Sequence, residues 1–453
     1  MLFERIESKG LAHYSYLIGD GREAIVIDPR RDCDVYVRRA ALEGMRIVAV
    51  LETHRNEDYV VGSVELATQS GAEVFHADAH LSCGYGQPVR EGQSWRVGGL
   101  RVEAIPSPGH TPGSMSYLLH DPQGHPWAVC TGDALFAGEV GRVDFMGPEH
   151  LGEMAALLYE TLFGRLLPLG DEVIVCPAHG SGSVCGTAIA DRPWTTIGLE
   201  RRYNRRLQHS EREAFVADVG RALPIAPYFA RMEALNVEGA PVLGVLPTPP
   251  PCTPAAFEAL AAEGATILDA RDELSFAAAH VPGALAIPEV NLPRFAGWFV
   301  PPDRPVLLVT DTDDTSQAVR YLVRLGFDQF AGALAGGMLS WHASGRASAR
   351  LKVLPAAEFC EQVRRGAALW VLDIRTEGEI GQVPPVPGSH LIPLHELPDR
   401  IGEVPTDRPV AVVCGSGLRA TTVGSMLLRA GCRDVAAVLG GIAVCATLLG
   451  RRP

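Results

Sequence analysis

The sequence predicts an α/β protein built from three domains, and three features of the chain support that fold class. The chain has 453 residues, which is the length of about three domains. Residues 246–254 contain five prolines, so they cannot continue a helix or a central strand and are predicted to form a semi-rigid linker. Beyond the linker, apolar strands alternate with helices, a pattern typical of small parallel sheets. We therefore predict domains at 1–245, 255–350 and 353–453, with the linker at 246–254.

The first predicted domain is rich in glycine and in short apolar segments that end in polar residues. Strands are predicted at 24–28, 47–51, 73–75, 101–105, 115–119 and 128–131, and helices at 62–68, 148–161 and 197–207. Histidine, aspartate and cysteine follow several of these strands, and their side chains are common metal ligands. This domain is therefore the predicted location of a metal site.

The chain beyond the linker contains an internal repeat with a spacing of 104 or 105 residues. The matches are Leu-Asp-x-Arg at 268–271 and 372–375, Val-Pro-Gly at 281–283 and 386–388, Asp-Arg-Pro-Val at 303–306 and 407–410, and Gly-Gly at 336–337 and 440–441. Several matches in the same order are typical of a duplicated domain. In the first copy, strands at 265–269 and 305–310 and a helix at 317–325 predict a parallel sheet.

The charge and composition exclude several classes of partner. The net charge is −13, so phosphates repel the chain, and neither nucleic acid nor an anionic membrane is the expected partner. No apolar run approaches the roughly 18–20 residues that span a bilayer, and the first residues lack a signal-peptide pattern. Ten cysteines without a Cys-x-x-Cys pair indicate reduced thiols in a cytoplasmic protein. The sequence leaves open whether the protein is a monomer or a homo-oligomer.

Four segments of the first domain carry the residue types of a metal site. They are Thr-His-Arg-Asn-Glu-Asp-Tyr at 53–59, Pro-Gly-His-Thr-Pro-Gly-Ser at 108–114, Thr-Gly-Asp-Ala-Leu-Phe at 131–136 and Cys-Pro-Ala-His-Gly at 176–180. In this order they resemble the metallo-β-lactamase superfamily, over residues 10–210. The resemblance implies an αββα sandwich with metals at one edge of its two sheets. The predicted fold class is therefore an αββα metallo-β-lactamase sandwich followed by two small α/β domains with parallel sheets.

The first of these segments departs from the family pattern at two positions. Family members usually carry T-H-x-H-x-D-H, whereas Asn56 and Tyr59 replace two of the histidines here. An amide is a poor ligand for zinc or iron compared with an imidazole, so two tightly bound zinc ions are not expected. His54, His110 and Asp133 remain, and two histidines with one carboxylate are the ligand set of non-haem Fe(II) oxygenases.

Within the superfamily, the set of His54, His110 and Asp133 resembles that of persulfide dioxygenases. The resemblance implies one Fe(II) per chain, with zinc as the alternative metal. It also implies a small-molecule thiol persulfide and O₂ as substrates, sulfite and a thiol as products, and a role in sulfide detoxification.

Five further residues of this domain are predicted to lie close to the metal. In the family, Asp58 and His179 belong to the second metal. Because Asn56 and Tyr59 replace histidines of the family site, we expect Asp58, His179 and Tyr59 to hydrogen-bond the metal ligands or the substrate instead. Arg142 resembles a residue beside the persulfide dioxygenase site, and an internal ion pair is the alternative. Cys185 lies in a Gly/Ser loop, and it either reaches the open positions of the metal or is buried and inert.

The third domain contains a cysteine in surroundings that favour a thiolate. An apolar strand runs into a tight loop, Cys414-Gly-Ser-Gly-Leu-Arg419, and a helix is predicted at 420–429. The amides of Gly415, Ser416 and Gly417 and the N-terminus of this helix attract an anion, and Arg419 adds positive charge. A thiolate in this loop can accept a sulfane sulfur and hold it as a persulfide.

This loop and the repeated motifs resemble a rhodanese domain over residues 353–450. The resemblance implies that Cys414 carries sulfane sulfur and that the loop amides form its anion cradle. In the first repeat, Thr310 stands opposite Cys414, and Asp311, Asp313 and Asp314 follow it. Since carboxylates repel an anionic persulfide, residues 255–350 are predicted to form a catalytically silent rhodanese-like domain.

The predicted function is an Fe(II)-dependent persulfide dioxygenase joined to a sulfurtransferase, with sulfite as an acceptor that gives thiosulfate. Two alternatives stay open. One is a zinc thioester hydrolase similar to glyoxalase II, which needs a metal-activated hydroxide. The other is a sulfur carrier or sensor without catalytic activity. Metal analysis would distinguish the three hypotheses. One iron per chain indicates the dioxygenase, two zinc ions indicate the hydrolase, and no metal indicates the carrier or sensor.

Overall fold

The computed structural model describes residues 1–186 and 188–448, and the chain divides into two compact units. The first unit comprises Met1–Leu246 and Val323–Gly326, and the second comprises Pro247–Leu322 and the residues from Phe327 onward. No helix in the described part of the chain is both long and apolar enough to cross a membrane.

Two six-stranded sheets form the centre of the first unit. The strands of the first sheet are, in spatial order, β1 (Leu2–Ser8), β2 (His13–Asp20), β3 (Glu23–Ile27), β4 (Arg46–Leu51), β5 (Glu73–His76) and β6 (Gln87–Pro88). Those of the second are β7 (Ser94–Val97), β8 (Leu100–Pro106), β9 (Met115–His120), β10 (Pro126–Gly132), β11 (Ile174–Pro177) and β12 (Thr195–Thr196). In the second sheet β10 and β11 run parallel and the other neighbours run antiparallel. In the first sheet β3 to β6 run parallel.

The described residues of the first unit also form six α-helices. They are α1 (Asp34–Leu42), α2 (Ser63–Ser70), α3 (Leu151–Tyr159), α4 (Ile197–Tyr203), α5 (Arg212–Val219) and α6 (Phe229–Glu238). The inner faces of the sheets share one apolar core, which includes Leu51 and Tyr117. A second core joins α1 and α2 to the first sheet, and a third joins α3 and α5 to the second sheet. The unit is therefore the predicted αββα sandwich, since each sheet buries both of its faces.

The elements predicted for this unit are present, with ends shifted by a few residues. The helix predicted at 148–161 begins as a short 3₁₀ turn, Pro148–His150, and continues as α3. The helix predicted at 197–207 ends at Tyr203, because Asn204 adopts an extended conformation. The Asn204 amide then donates hydrogen bonds to the Glu139 carbonyl and the Glu200 carboxylate. The elements that the sequence prediction did not name are β1, β2, β6, β7, β11, β12, α1, α5 and α6.

The second unit contains two five-stranded sheets in which every pairing is parallel. The first sheet consists of β13 (Pro251–Cys252), β14 (Thr266–Asp269), β15 (Leu285–Ala286), β16 (Val306–Val309) and β17 (Phe330–Leu334). The second consists of β18 (Lys352–Pro355), β19 (Trp370–Asp373), β20 (His390–Leu391), β21 (Val410–Val413) and β22 (Val435–Leu439). The orders β13-β17-β16-β14-β15 and β18-β22-β21-β19-β20 are the same topology, as the internal repeat predicts.

Each repeat contains five α-helices in the part of the chain that the structure describes. The first repeat has α7 (Pro254–Ala262), α8 (Glu273–Ala278), α9 (Leu292–Phe299), α10 (Ser316–Arg324) and α11 (Gly337–Ala343). The second repeat has α12 (Ala356–Arg364), α13 (Glu377–Gln382), α14 (Leu397–Arg400), α15 (Leu418–Arg429) and α16 (Gly441–Leu448). Both repeats keep a buried ion pair at the end of their second strand: Arg271 with Asp269 at 2.6 Å and Arg375 with Asp373 at 2.7 Å.

Part of the predicted linker is folded. Pro251 and Cys252 form β13 at the edge of a sheet, a position where a strand tolerates proline. Thr253 then caps α7 by accepting a hydrogen bond from the Ala256 amide, and Pro254 is the first residue of that helix, a position that suits its missing amide. The domain boundaries themselves stay a prediction.

Candidate metal centre and cysteine loop

The predicted metal ligands follow strands from both sheets of the first unit. β4 leads into His54 and Glu57, β10 leads into Asp133, and His110 lies between β8 and β9. The four side chains are buried, each at most 2% exposed. One ligand atom from each lies within 4.8 Å of the others. We call these four residues the metal cluster.

Two carboxylates and two imidazoles face one another in the metal cluster. His110 Nε2 lies 3.1 Å from Glu57 Oε1 and 3.5 Å from Asp133 Oδ2. His54 Nε2 lies 3.9 Å from Asp133 Oδ2 and 4.0 Å from Glu57 Oε2. Burial lowers the pKa of His110, but the carboxylates of Glu57 and Asp133 outweigh it and raise that pKa to about 9. The buried negative charge therefore attracts a cation.

Three atoms of the metal cluster lack a hydrogen-bond partner in the described structure. They are His54 Nε2, His110 Nε2 and Asp133 Oδ2, and all three are buried. A buried polar atom without a partner costs about 1–3 kcal/mol. One divalent cation would satisfy all three atoms, and two nitrogens with one oxygen suit iron or zinc. The residues present therefore fit one metal ion.

Hydrogen bonds on the outer side of both imidazoles fix their orientation. Thr53 Oγ1 donates to Asp28 Oδ2 at 2.7 Å and lies 2.8 Å from His54 Nδ1, which donates to it in turn. The Thr53 amide also donates to Asp28, at 2.8 Å. His110 Nδ1 donates to the Arg142 carbonyl at 2.9 Å. Both histidines thus carry a proton on Nδ1, so Nε2 is the atom that would bind a metal.

Asp58, His179 and Cys185 form a second group of potential ligands next to the metal cluster, within 4.8 Å of one another. His179 Nδ1 donates to Asp133 Oδ1 at 2.8 Å, and His179 Nε2 lies 3.0 Å from Asp58 Oδ2. Burial lowers the pKa of His179, but these two carboxylates outweigh it and raise that pKa well above its usual range. His179 therefore links the second group to the metal cluster.

Cys185 is fully buried, and its Sγ lies 3.5 Å from Glu57 Oε1. Burial raises the pKa of the Cys185 thiol well above its usual range, and the carboxylates of Asp58, Asp133 and Glu57 raise it further. The thiol is therefore protonated at neutral pH and donates its hydrogen to Glu57.

The two residues that replace histidines are held by contacts of their own. Asn56 Nδ2 donates to the His54 carbonyl at 3.3 Å, and the Tyr59 ring lies on the His13 ring, with centroids 4.0 Å apart. Asn236, on α6, donates to the carbonyls of Asn56 and Tyr59 at 2.6 and 2.8 Å. Asn236 therefore fixes the path of the loop that carries His54.

The side chain of Arg142 forms the internal ion pair that the sequence left as an alternative. Its Nε and Nη2 donate to the Asp144 carboxylate at 2.6 and 2.8 Å. The contribution of Arg142 to the metal cluster comes from its backbone carbonyl, which a sequence motif cannot indicate.

Glu57 is a residue of the metal cluster that the sequence prediction missed. It occupies a variable position of the family motif, so the motif carried no signal for it. Only the fold shows that the residue after Asn56 turns back toward His110, as the 3.1 Å distance between their side chains records.

The predicted cysteine loop of the second unit lies between β21 and α15. Cys414 is fully buried, and the Gly417 amide donates to its Sγ at 3.0 Å. Gly417 has a φ of +103°, and a Cβ there would lie 2.9 Å from the Gly440 nitrogen, so only glycine fits the turn. Gly415 and the exposed Ser416 complete the loop. The Gly417 amide and the N-terminus of α15 thus stabilise negative charge on the Cys414 sulfur.

Arg419 has a partner that the sequence prediction missed, Glu379 on α13. Arg419 Nη1 donates to Glu379 Oε2 at 3.0 Å, and Nη2 donates to Oε1. The Thr376 amide also donates to Glu379 Oε2, at 3.0 Å, as part of a capping box. The signal for Glu379 in the sequence is its spacing of three residues after Thr376, which indicates a capping box and not a partner for Arg419. The positive charge of Arg419 is therefore shared between this carboxylate and the cysteine loop.

The corresponding loop of the first repeat is closed by its own polar groups. Thr310 follows β16 and donates from Oγ1 to the Thr312 carbonyl at 2.6 Å. Asp313 Oδ1 accepts from the Gly336 amide at 2.9 Å, and Asp311 is exposed. This loop presents a hydroxyl and carboxylates where the second repeat presents a thiol.

Family models match all three domains. Residues 9–179 match the metallo-beta-lactamase superfamily, and residues 253–344 and 356–446 each match the rhodanese-like domain.

Curated relatives and solved structures are similar to parts of the chain. The hydroxyacylglutathione hydrolase GloC of Haemophilus influenzae is 27% identical over 215 residues, which cover 42% of the chain and 90% of that protein. The human mitochondrial persulfide dioxygenase ETHE1 is 32% identical over 180 residues, which cover 37% of the chain and 63% of the human protein. A metallo-beta-lactamase crystal structure from Staphylococcus aureus is 27% identical with a TM-score of 0.66, covering 74% of the chain and 98% of that protein. The aligned 74% of the chain is longer than the first unit, so the likeness to this structure extends into the second unit.

Proposed function

Because the chain is a metallo-β-lactamase domain followed by two rhodanese-like domains, we propose that it oxidises a thiol persulfide in its first domain and transfers sulfane sulfur in its last. The observation that carries the first activity is the metal cluster, in which His54, His110 and Asp133 each direct an unpartnered buried atom inward. The likeness to persulfide dioxygenases of human, bovine and mouse origin supports the same activity.

One Fe(II) ion is the metal proposed for His54, His110 and Asp133. When bound, it supplies open coordination positions and the redox chemistry that O₂ needs to oxidise a sulfur atom. The overall reaction is R–S–SH + O₂ + H₂O → R–SH + SO₃²⁻ + 2H⁺. The terminal sulfur is oxidised, O₂ is reduced, and the thiol leaves with one of the protons.

The chain itself contributes orientation, charge and the exclusion of water. His54 and His110 donate from Nδ1 to Thr53 Oγ1 and to the Arg142 carbonyl, which holds the two imidazoles. His179 holds Asp133 through Oδ1, which leaves Oδ2 free. Burial of the four side chains of the cluster limits the access of bulk water to the metal that they would hold. We assign Asp58, Tyr59 and Cys185 to the wall beside the metal, where the protonated Cys185 thiol donates to Glu57.

The second proposed activity is sulfur transfer through Cys414. Its thiolate attacks the terminal sulfur of a persulfide, a new S–S bond forms, and the old S–S bond breaks with its electron pair on the leaving thiolate. The acceptor is sulfite, so that Cys414–S–S⁻ + SO₃²⁻ → Cys414–S⁻ + S₂O₃²⁻. The hydrogen bond from the Gly417 amide to the sulfur supports this role, because it stabilises the anionic sulfur in both steps.

A zinc thioester hydrolase is the second candidate function. Two observations favour it: the match over 90% of the Haemophilus hydroxyacylglutathione hydrolase, and the group of Asp58, His179 and Cys185 that could hold a second ion. Asn56 and Tyr59 count against it, since they replace imidazoles of the two-metal site. The double replacement Asn56→His with Tyr59→His should therefore raise the number of zinc ions bound per chain. A wild-type chain that already binds two zinc ions tightly would favour the hydrolase.

Single replacements of the proposed ligands test the dioxygenase. His54→Ala, His110→Ala and Asp133→Ala should each remove the bound iron and persulfide-dependent O₂ uptake, while sulfur loading of Cys414 persists. His125→Ala is the matched control, because His125 is 76% exposed and cannot belong to the buried cluster. A ligand variant that keeps one iron per chain and normal O₂ uptake would contradict the proposal.

A further inference from the structure

The two repeats differ together at three positions around the cysteine loop. At the spacing of 104 residues, Cys414, Arg419 and Glu379 correspond to Thr310, Thr315 and Ser275, respectively. Both repeats nevertheless retain the buried Asp–Arg pair that follows their second strand. An ion pair needed for folding would be expected in both copies. The pair of Arg419 and Glu379 is present only beside Cys414, which connects it with the chemistry of that sulfur.

Glu379 is held firmly against Arg419. Its carboxylate accepts two hydrogen bonds from the guanidinium and two from Thr376, one from the amide and one from Oγ1 at 3.2 Å. Burial lowers the pKa of Arg419, but hydrogen bonds to Glu379 and to Cys414 outweigh it and raise that pKa. Both side chains reach the cysteine loop, since a Cβ added at Gly415 would lie 3.3 Å from Arg419 Nη2 and 3.5 Å from Glu379 Oε1. The two side chains are 23% and 35% exposed, so an incoming ligand meets both charges.

The charge beside Cys414 affects monoanions and dianions differently. Coulomb energy is proportional to the product of the charges, so a carboxylate repels a dianion about twice as strongly as a monoanion at the same distance. Glu379 also occupies the guanidinium that would otherwise bind an anionic sulfur donor as a fork. The loop amides are backbone groups, so replacing Glu379 does not remove them.

We propose that Glu379 determines the charge selectivity of the Cys414 loop, weakening its binding of the small dianions thiosulfate and sulfite relative to thiol persulfides. This inference rests on the proposed function of Cys414 as the sulfur carrier. With a persulfide the step is Cys414–S⁻ + R–S–SH → Cys414–S–SH + R–S⁻. With thiosulfate it is Cys414–S⁻ + S₂O₃²⁻ → Cys414–S–S⁻ + SO₃²⁻. Neither step needs an external oxidant, since one S–S bond replaces another.

Single-turnover loading of the full-length protein tests the proposal. Mass spectrometry follows the addition of one sulfur to Cys414 from thiosulfate or from hydroxyethyl persulfide, a donor whose only charge lies on sulfur. Glu379→Gln keeps the shape of the side chain and removes its charge. The thiosulfate concentration that gives half the maximal rate should fall roughly tenfold, as for one charge at a partly exposed site. The maximal loading rate divided by the half-saturating concentration should rise by a similar factor for thiosulfate relative to the persulfide.

Glu377→Gln is the matched control, because Glu377 is an exposed acid on the same helix, and its ratio should stay at the wild-type value. Glu379→Ser is the second variant, since the first repeat folds with Ser275 at this position; it should shift the ratio in the same direction. A Glu379→Gln variant that slows both donors equally, or leaves the thiosulfate half-saturation unchanged or higher, would overturn the proposal. A wild-type chain that loads neither donor would instead contradict the proposed function of Cys414.

Discussion

The two rhodanese-like repeats have the same fold and different active loops. Their sheets share one strand order, and each buries an Asp–Arg pair after its second strand. In the second repeat a fully buried Cys414 accepts a hydrogen bond from the Gly417 amide. In the first repeat Thr310 and its neighbouring aspartates occupy the corresponding loop. The comparison shows that the fold does not depend on the active loop. The buried Asp–Arg pair is present in both repeats, whereas the residues around the sulfur are replaced in the first repeat.

Replacing the sulfur carrier should give the largest effect. Cys414→Ser is expected to abolish sulfur loading and thiosulfate formation, because a hydroxyl cannot hold sulfane sulfur, whereas persulfide-dependent O₂ uptake should persist. Mass spectrometry of the loaded chain and an oxygen electrode measure the two outcomes. Cys432→Ser is the control, a second buried cysteine of the same repeat. Stable loading of another cysteine with full transfer activity in Cys414→Ser would break the comparison.

Removing the shared ion pair should destabilise both repeats alike. Asp373→Ala leaves Arg375 buried without its partner, and Asp269→Ala does the same to Arg271, so each should cost about 3–5 kcal/mol of unfolding free energy. Urea denaturation measures the change. Asp407→Ala, which removes an exposed partner of Arg408, should leave the midpoint unchanged. If only the second repeat were destabilised, the pair would belong to the chemistry of Cys414 instead of the scaffold.

Adding a thiol to the silent repeat should have the smallest effect. Thr310→Cys in a Cys414→Ser background should not restore sulfur transfer. The carboxylates of Asp311, Asp313 and Asp314 disfavour a thiolate, and Thr315 stands where the active repeat has Arg419. Transfer at more than a few percent of the wild-type rate would mean that a thiol in this fold is sufficient, and that the loop charges matter little.

The sequence predicted the architecture because its periodic features are local. The resemblance to the metallo-β-lactamase superfamily implied an αββα sandwich, and the alternating strands and helices of the repeat predicted two parallel sheets. Both are observed. His54, His110 and Asp133 were singled out by motif order, and the structure brings their side chains together, although their role as ligands stays a proposal. Glu57 could not be predicted, because its place depends on how the loop turns back toward His110. Glu379 could not be predicted either, because its partner Arg419 is 40 residues away in the chain.

The contact of Asn236 with the loop that carries His54 could not be predicted from the sequence either. Its side chain reaches the carbonyls of Asn56 and Tyr59, which lie more than 170 residues earlier in the chain. Backbone acceptors carry no sequence signature, so tertiary hydrogen bonds of this kind appear only in the folded chain.

The metal content of the anaerobically purified protein, measured together with O₂ uptake on addition of a thiol persulfide, tests the central claim most directly. The account predicts one iron per chain, with O₂ consumption that scales with the iron content and yields one sulfite per O₂. Two zinc ions per chain, no persulfide-dependent O₂ uptake and hydrolysis of a glutathione thioester would contradict it.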